Sequence, residues 1–419
     1  MERTGSDYYT WGRSQAEIAD QTIVYATKPG LPDLDDLVIP SRLLVEALQS
    51  DTPSRGALAE ARSALDLNCG PGLVRVALSR LGLSVDSYDD NVVAVEAAKL
   101  TSTGNGLPTT SVFAGEPAAD DQYDLAVLRA PKGRDVGRRL IALAARALTP
   151  RGRLFVAGAN HAGVKSLIKD SEQILGPAAL LGLKAGHRVV GFQRGPTVVV
   201  PPAYEDVIRY SERTLEVAGQ TWRYVTRPGI FSWDCLDDGT RALIETARVT
   251  TGGALLDLGC GYGVVGLVAA QRAARVVSLD ASASAVEATR RTYRLNNVPN
   301  AEVRLSDCAS AVLGESFDDV LTNPPFHQGV ETERSVAQQF IRDAHRVLSP
   351  SGNLWLVANR FLPYEREMQA LFKAVRVAYE DNRYRVWHAR KSSDHPPAMV
   401  LLHSGKQMSR GEWGKKRER

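Results

Sequence analysis

Residues 321–329 read LTNPPFHQG: an apolar lead-in, then a bare amide, two prolines, an aromatic ring and an imidazole. Neither proline can donate a backbone hydrogen bond and both fix φ, so the run ends a strand and stiffens the backbone beyond it. The Asn323 amide oxygen and the Pro324 carbonyl are acceptors, Phe326 offers a face for a planar group, and His327 comes next. Upstream, LLDLGCGYGVVG places Asp257, Gly259, Gly261 and Gly263 at the end of an apolar run and the start of a helical one. Glycines at such a turn let the backbone approach a ligand closely. Asp280 follows Gly259 by 21 residues (280 − 259), a spacing suited to a carboxylate that accepts hydrogen bonds from ribose hydroxyls. Asp307, with Cys308 beside it, ends a third run and is placed to address a base or sugar edge. Acidic residues closing three successive runs point to a nucleoside-type cofactor. Gly261-x-Gly263-x-x-Gly266 also fits the dinucleotide pattern, so NAD stands as an alternative on these residues alone.

Such groups need a scaffold that brings strand ends together. The chain alternates LLDLGC, a helical VVGLVAAQ, VVSLD, a helical ASAVEATRRTYRLN, AEVRLSD, FDDVLTN, a helical SVAQQFIRDAHRVL, and NLWLVAN. Strand–helix alternation with glycine-rich turns predicts an α/β, doubly wound, mostly parallel sheet, whose ligands sit beyond the carboxyl ends of the strands. The same text is written twice. YATKPGL at Tyr25 answers YVTRPGI at Tyr224, and ALDLNCGPGLV at Ala64 answers LLDLGCGYGVV at Leu255, with Asp66 and Asp257 191 residues apart (257 − 66). AVEAAK matches AVEATR, QYDLAVLRAPK matches SFDDVLTNPPF, and LTPRGRLFVAGAN matches LSPSGNLWLVANR. The repeat implies two tandem Rossmann-like domains from an internal duplication, 1–202 and 203–402, with a basic, disordered tail over 403–419.

The D-x-G-x-G arrangement resembles the class I S-adenosylmethionine methyltransferases, and N-P-P-F resembles the signature of those that act on nitrogens of planar groups. An exocyclic base nitrogen has its lone pair delocalised into the ring and is a poor nucleophile. With both its hydrogens held by Asn323 and the Pro324 carbonyl, and its ring stacked on Phe326, it can direct that lone pair at a methyl group. Transfer is then direct, with no covalent enzyme intermediate and no metal. The duplication, NPPFH in the second copy only, FSWDCLDDG before the glycine turn and VANRFLPYE after the fifth strand together look like the ribosomal RNA guanine-N2 methyltransferases. FLPY after VAN points to the 16S (30S subunit) enzyme, with its 23S sister as the alternative. The resemblance spans about Tyr25 to Arg390. It implies S-adenosylmethionine as cofactor, ribosomal RNA as partner, and a role in closing the cofactor pocket for Phe231, Asp234 and Asp238. Adenine-N6 and protein-glutamine methyltransferases also use an NPP-type motif. A non-catalytic RNA-binding assembly factor is the rival from another class.

The first copy keeps Asp66, Gly70, Gly72 and Asp89, but Asn68 stands for Gly259, Arg129-Ala130-Pro131-Lys132 for NPPF, and the counterpart of Asp307 falls around Gly115 with no clear carboxylate. This copy is expected to be non-catalytic, supporting the second and holding RNA. RAPKGRDVGRR gathers Arg129, Lys132, Arg134, Arg138 and Arg139 against one acid, a phosphate-binding surface in expectation; an ordinary solvated helix start is the competing reading. His327 is expected to contact RNA or position it, since direct transfer needs no prior base.

Composition sets the limits. Hydrophobic residues make up 44% and charged residues 24% of the 419, an ordinary globular balance able to bury two cores. Four scattered cysteines without a C-x-x-C pair, no apolar run of membrane length and no apolar leader lead to the expectation of a cytoplasmic protein without a metal site. A net charge of +3 is too small to signal nucleic-acid binding by itself, so any basic surface must be local. The paired domains are expected to form a monomer with an internal pseudo-dimer.

Overall fold

The computed structural model describes residues 8–31, 34–50, 56, 58–118, 122–325, 331–392 and 398–403. The chain divides into two compact units, Met1–Arg209 and Tyr210–Arg419. The helix Pro202–Ile208 therefore falls in the first unit, a few residues beyond the junction drawn from the sequence.

The second unit opens with a hairpin, Ser211–Val217 with Gln220–Thr226, and continues into a seven-stranded sheet. In spatial order its strands are Ala301–Leu305, Arg275–Asp280, Ala254–Leu258, Phe317–Thr322, Leu348–Asn359, Tyr384–Arg390 and Ala374–Glu380. All pairings are parallel until Tyr384–Arg390, which runs antiparallel to both neighbours. The order reverses at Ala254–Leu258: the chain steps outward through two strands, then returns to the other side for Phe317–Thr322. That switch point opens the crevice in which open α/β sheets bind ligands. The strands are nearly continuous apolar runs because helices cover both faces. Ser282 caps the helix Ala283–Leu295 by accepting the Ala285 N–H at 3.1 Å, and Asp237 caps Asp238–Thr246 by accepting the Thr240 N–H at 2.8 Å.

The first unit repeats this plan: a hairpin of Gly12–Ile18 with Gln21–Thr27, then Val112–Ala114, Ser84–Asp89, Ser63–Leu67, Tyr123–Arg129, Leu148–Ala159, His187–Gln193 and Ala179–Lys184 in the same spatial order. The cores have diverged by compensation. In the second unit, a Cβ on Gly266 would lie 2.0 Å from the Tyr293 hydroxyl, which is 2.5 Å from the Ser278 hydroxyl. Both Gly266 and Tyr293 are replaced 191 residues earlier, by Arg75 and Ser102. Arg75 is buried, its Nε donates to Ser102 at 3.1 Å, and its outer nitrogens reach the carbonyls of Val85, Ser111 and Pro108. A large residue has moved from one helix to its neighbour, and the buried volume is filled either way.

Candidate active site

The glycine turn follows the strand Ala254–Leu258. Gly259, Gly261 and Gly263 have φ of 80°, 58° and 85°, values that a side chain strongly disfavours. Gly263 is also pressed onto the next helix: a Cβ there would meet Thr289 at 2.5 Å. Gly261 differs, because nothing lies within 4 Å of its Cβ position, so the turn faces open space there. Thr289 holds the turn from below, donating to the Gly261 carbonyl at 2.9 Å. The Asp280 carboxylate accepts the Gly261 N–H and the Ser282 N–H, each at 2.9 Å, which orients it at the rim of this space. Asp307 and Cys308 follow the neighbouring strand, and Cys308 has a left-handed φ of 46°. Their turn is held by Asp343 of the helix Glu331–Val347, which accepts the Ala309 N–H at 3.1 Å.

Asp257 has a different job. It is buried under the turn, where its carboxylate accepts the Gly266 N–H at 2.9 Å. Burial, with a smaller contribution from Asp280, pushes its pKa up to about 7. Its sequence-expected part in cofactor binding is thus one of holding the glycine turn against the helix behind it.

Asn323 stands at the end of Phe317–Thr322, beside the turn; the preceding Thr322 hydroxyl donates to the Leu258 carbonyl at 2.7 Å and ties the two strand ends together. The Asn323 Nδ2 donates to Asp237 Oδ2 at 3.1 Å and to the Thr240 hydroxyl at 2.9 Å. The network dictates which end of the amide is which. Asp237 as a carboxylate only accepts, and the Thr240 hydroxyl spends its hydrogen on Asp237 at 3.3 Å, so both groups need a donor opposite them. The NH2 end is thereby consumed and Oδ1 is left as an acceptor. Tyr384 adds its hydroxyl to the other Asp237 oxygen at 3.4 Å.

The segment FSWDCLDDG thus meets the site through a residue that sequence reasoning passed over. Asp237, with Thr240 just beyond the motif, touches Asn323; Phe231 is 64% exposed, Asp234 is exposed, and Asp238 pairs with Arg383 at 2.8 Å. Phe326 and His327 lie outside the described residues, as does 404–419 with the basic tail. Pro324 is buried and Pro325 exposed.

The methyltransferase small domain model matches residues 24–189 and again residues 221–388. The chain belongs to this family. Among curated proteins it is similar to the ribosomal RNA small subunit methyltransferase C of Hahella chejuensis, 37% identical over 77% of this chain and 93% of that protein. The protein of the same name from Pseudoalteromonas atlantica is 32% identical over 73% of this chain and 86% of its own length. Among solved structures, the T. thermophilus 16S rRNA N2 methyltransferase in complex with AdoMet and guanosine is 26% identical. It superposes with a TM-score of 0.73 over 91% of this chain and 98% of its own.

The two methyltransferase domains part company at this site. Arg129 occupies the position of Asn323, and its side chain turns inward. Its guanidinium lies against Gly70, the counterpart of Gly261, where a Cβ would be 3.0 Å from Nη2. It donates to the carbonyl of Asn68, whose amide returns a bond to the Arg129 carbonyl at 3.2 Å. Asn68 keeps the left-handed backbone of Gly259, with φ 56°. Burial raises Asp66 to about 6 and also raises Asp89, and the Arg129 charge opposes both shifts. Asp89 still accepts the Gly70 and Asn91 N–H groups at 2.9 Å, as Asp280 does in its own domain. The space that stands open above Gly261 is filled above Gly70 by an arginine.

The remaining arginines of that run are also engaged. Arg139 is buried and pairs with Glu116 at 2.9 Å. Glu116 is the true counterpart of Asp307: the Gly115 N–H donates to the Asp89 carbonyl just as the Ser306 N–H donates to that of Asp280. The carboxylate thought missing is present one residue further on, and Arg139 neutralises it. Arg134 grips the buried Asp170 with two bonds of 2.9 and 2.8 Å, and Arg138 joins that carboxylate at 3.4 Å while lying 5.5 Å from the centre of the Tyr204 ring. Lys132 is exposed. The five-cation surface expected from the sequence is therefore corrected: Arg129 and Arg139 are interior residues, and Arg134 and Arg138 bind Asp170. Among the described residues no cluster of acids, histidines and cysteines suits a metal, and no helix is long and apolar enough to cross a membrane.

Proposed function

We propose that this chain methylates the exocyclic N2 amine of a guanine in 16S rRNA, using S-adenosylmethionine, as a monomeric cytoplasmic enzyme acting on the 30S subunit. One observation carries the chemistry: the Asn323 amide is held so that its NH2 is spent on Asp237 and Thr240 and its oxygen is kept for a donor. An amine offered to the cleft is such a donor. The similarity to small-subunit ribosomal RNA methyltransferases supports the substrate.

The residues fit the cofactor. The open space at Gly261, the Asp280 carboxylate at its rim and Asp307 beside it suit a nucleoside, and the backbone of Gly259–Gly263 suits its amino-acid arm. When bound, S-adenosylmethionine supplies an electrophilic methyl group on a positive sulfur. With it bound, Asn323 Oδ1 and the Pro324 carbonyl would each accept one N–H of the guanine amine and so direct its lone pair at that methyl group, the displaced sulfur keeping the bonding electrons. The amine's extra proton then leaves to water, so no base is needed. Phe326 stacks on the guanine and His327 meets the RNA beside it. The domain 203–402 does the chemistry. The domain 1–202 supports it and holds RNA through Lys132 and the outer faces of Arg134 and Arg138.

Labelled methyl groups from S-adenosylmethionine should appear as N2-methylguanosine in 30S subunits from cells lacking the gene. Label in 50S RNA, or as N6-methyladenosine, overturns the assignment. Asn323→Ala should lower kcat by about 100- to 1000-fold, as expected for losing one preorganised partner of the reacting group, with cofactor affinity little changed.

A further inference from the structure

The carboxyl edge of the second sheet continues past Asn323. Beyond it lie the end of Leu348–Asn359 and the tight turn 381–383 that joins Ala374–Glu380 to Tyr384–Arg390. Between them is a groove of about 540 Å³ lined by Asn359, Arg360, Phe361, Asn382 and Arg383. Its walls are firm. The Arg360 N–H donates to the Arg383 carbonyl at 2.9 Å, and Asp381 Oδ1 accepts the N–H groups of both Arg383 and Tyr384 at 2.7 Å. Phe361 is 59% exposed, so the ring offers much of its surface to the groove. Arg360 is aligned by Glu380 at 3.2 Å and Arg383 by Asp238 at 2.8 Å. A guanidinium has five N–H donors, so one carboxylate leaves each able to bind more. Arg383 also donates to the Tyr384 hydroxyl at 3.1 Å, and Tyr384 donates to Asp237, the partner of Asn323. Groove and catalytic amide are thus ends of one hydrogen-bonded chain.

We propose that this groove receives the nucleotide adjoining the target guanine in a single-stranded RNA segment, with its base on Phe361 and its phosphate on Arg360 and Arg383. The inference rests on the guanine N2 assignment. A base presented to Asn323 must leave its stack, so its neighbours approach as single strand. Toward the strands Ala254–Leu258, Arg275–Asp280 and Ala301–Leu305 the edge is lined by Asp280 and Asp307, which repel phosphates. In the opposite direction it offers arginines, amides and an exposed ring, the combination that binds single-stranded nucleic acid by stacking and charge.

The test uses the full chain and a short fluorescein-labelled single-stranded RNA, with binding followed by anisotropy over a range of KCl concentrations. Phe361→Ala should weaken binding roughly 5- to 100-fold, the usual range for removing one stacking platform, while Phe361→Trp keeps it. Arg360→Gln should flatten the dependence of log affinity on log salt by about 0.7, one phosphate's share on a single strand. S-adenosylmethionine affinity, by calorimetry, should be retained in all three and reports the fold; if Phe361→Ala loses it, the other two variants decide. Wild-type affinity and salt slope in Phe361→Ala and Arg360→Gln overturn the proposal. The two readings fail separately: wild-type protein that binds RNA through these residues but makes no N2-methylguanosine in 30S RNA refutes the methyl acceptor and leaves the groove standing.

Discussion

Replacing Asn323 by aspartate tests the orientation of its amide and the catalytic role proposed for it. Nδ2 of Asn323 lies 3.1 Å from a carboxylate oxygen of Asp237, so the substitution brings two carboxylates to that separation. At an effective dielectric of about 20 their repulsion is about 5 kcal/mol. Both residues are half-buried, and solvent screening cuts this by about half. The pair should therefore hold its second proton to a higher midpoint than a lone carboxylate does. Below that midpoint the shared proton does the work of the amide NH2, donating to Asp237 and leaving a C=O for the substrate. Above it the carboxylates push apart. The sign is that of an acid whose folded pKa is raised: stability is complete below the unfolded value and is lost as pH rises through the folded one. In Asn323→Asp, Tm by scanning fluorimetry should begin to fall relative to wild type as pH rises above the ordinary carboxylate value of about 4, and methyl transfer to 30S subunits should fall at higher pH, where the shared proton leaves. Adding Asp237→Asn should remove that limb. A variant that tracks wild type in both assays, or a limb that survives the second substitution, refutes the pairing on which the mechanism stands.

Asp280→Ala should weaken S-adenosylmethionine binding by about 10- to 100-fold, the worth of hydrogen bonds to a charged acceptor, whereas Asp89→Ala, its twin in the first domain, should leave calorimetric affinity unchanged. Gly266→Ala should destabilise the protein by about 1–3 kcal/mol in urea, because its Cβ would lie 2.0 Å from the Tyr293 hydroxyl, and Tyr293→Phe should recover part of the loss. His388 is buried, stacks on Trp355 at 4.3 Å between ring centres, and is held neutral with a pKa lowered to about 4, first by burial and then by Arg376 and Arg390. A depressed histidine stabilises above its unfolded pKa and loses that stability as pH falls. Wild-type unfolding free energy should thus drop between about pH 6.5 and pH 4, and His388→Gln should flatten the drop.

The duplication, the sheet, the glycine turn and the place of Asn323 could be read from the sequence because each rests on local text: apolar runs, glycines at turns, and a repeat whose offset barely drifts. The contacts that join distant text could not be read. Asp237 and Asn323 are 86 residues apart, and nothing in FSWDCLDDG tells which of its three acids will point at the amide. Asp237 can be recognised only as a helix cap, three residues ahead of the Thr240 N–H it accepts. Charge density misled in the first domain for a similar reason. RAPKGRDVGRR shows five cations and one acid, but Asp170 and Glu116, which engage three of them, come from other segments. The family match to both halves follows from the repeat. The replacement of the amide by Arg129 is legible in the sequence, but not that its side chain turns inward against Gly70.

That arginine makes the filling of the first domain's cleft hard to reverse. Asp66 and Asp89 were kept, and their buried charges now lean on Arg129. Taking the arginine away to reopen the cleft removes a counter-ion from both acids and leaves Asp66 to Arg75. Restoring Gly259's equivalent at Asn68 alone meets a space still filled by Arg129, and Arg139 continues to pair with Glu116. A cleft closed from within in this way works as a ratchet: further substitutions around Arg129 can tighten its packing far more readily than any one of them can reopen the space.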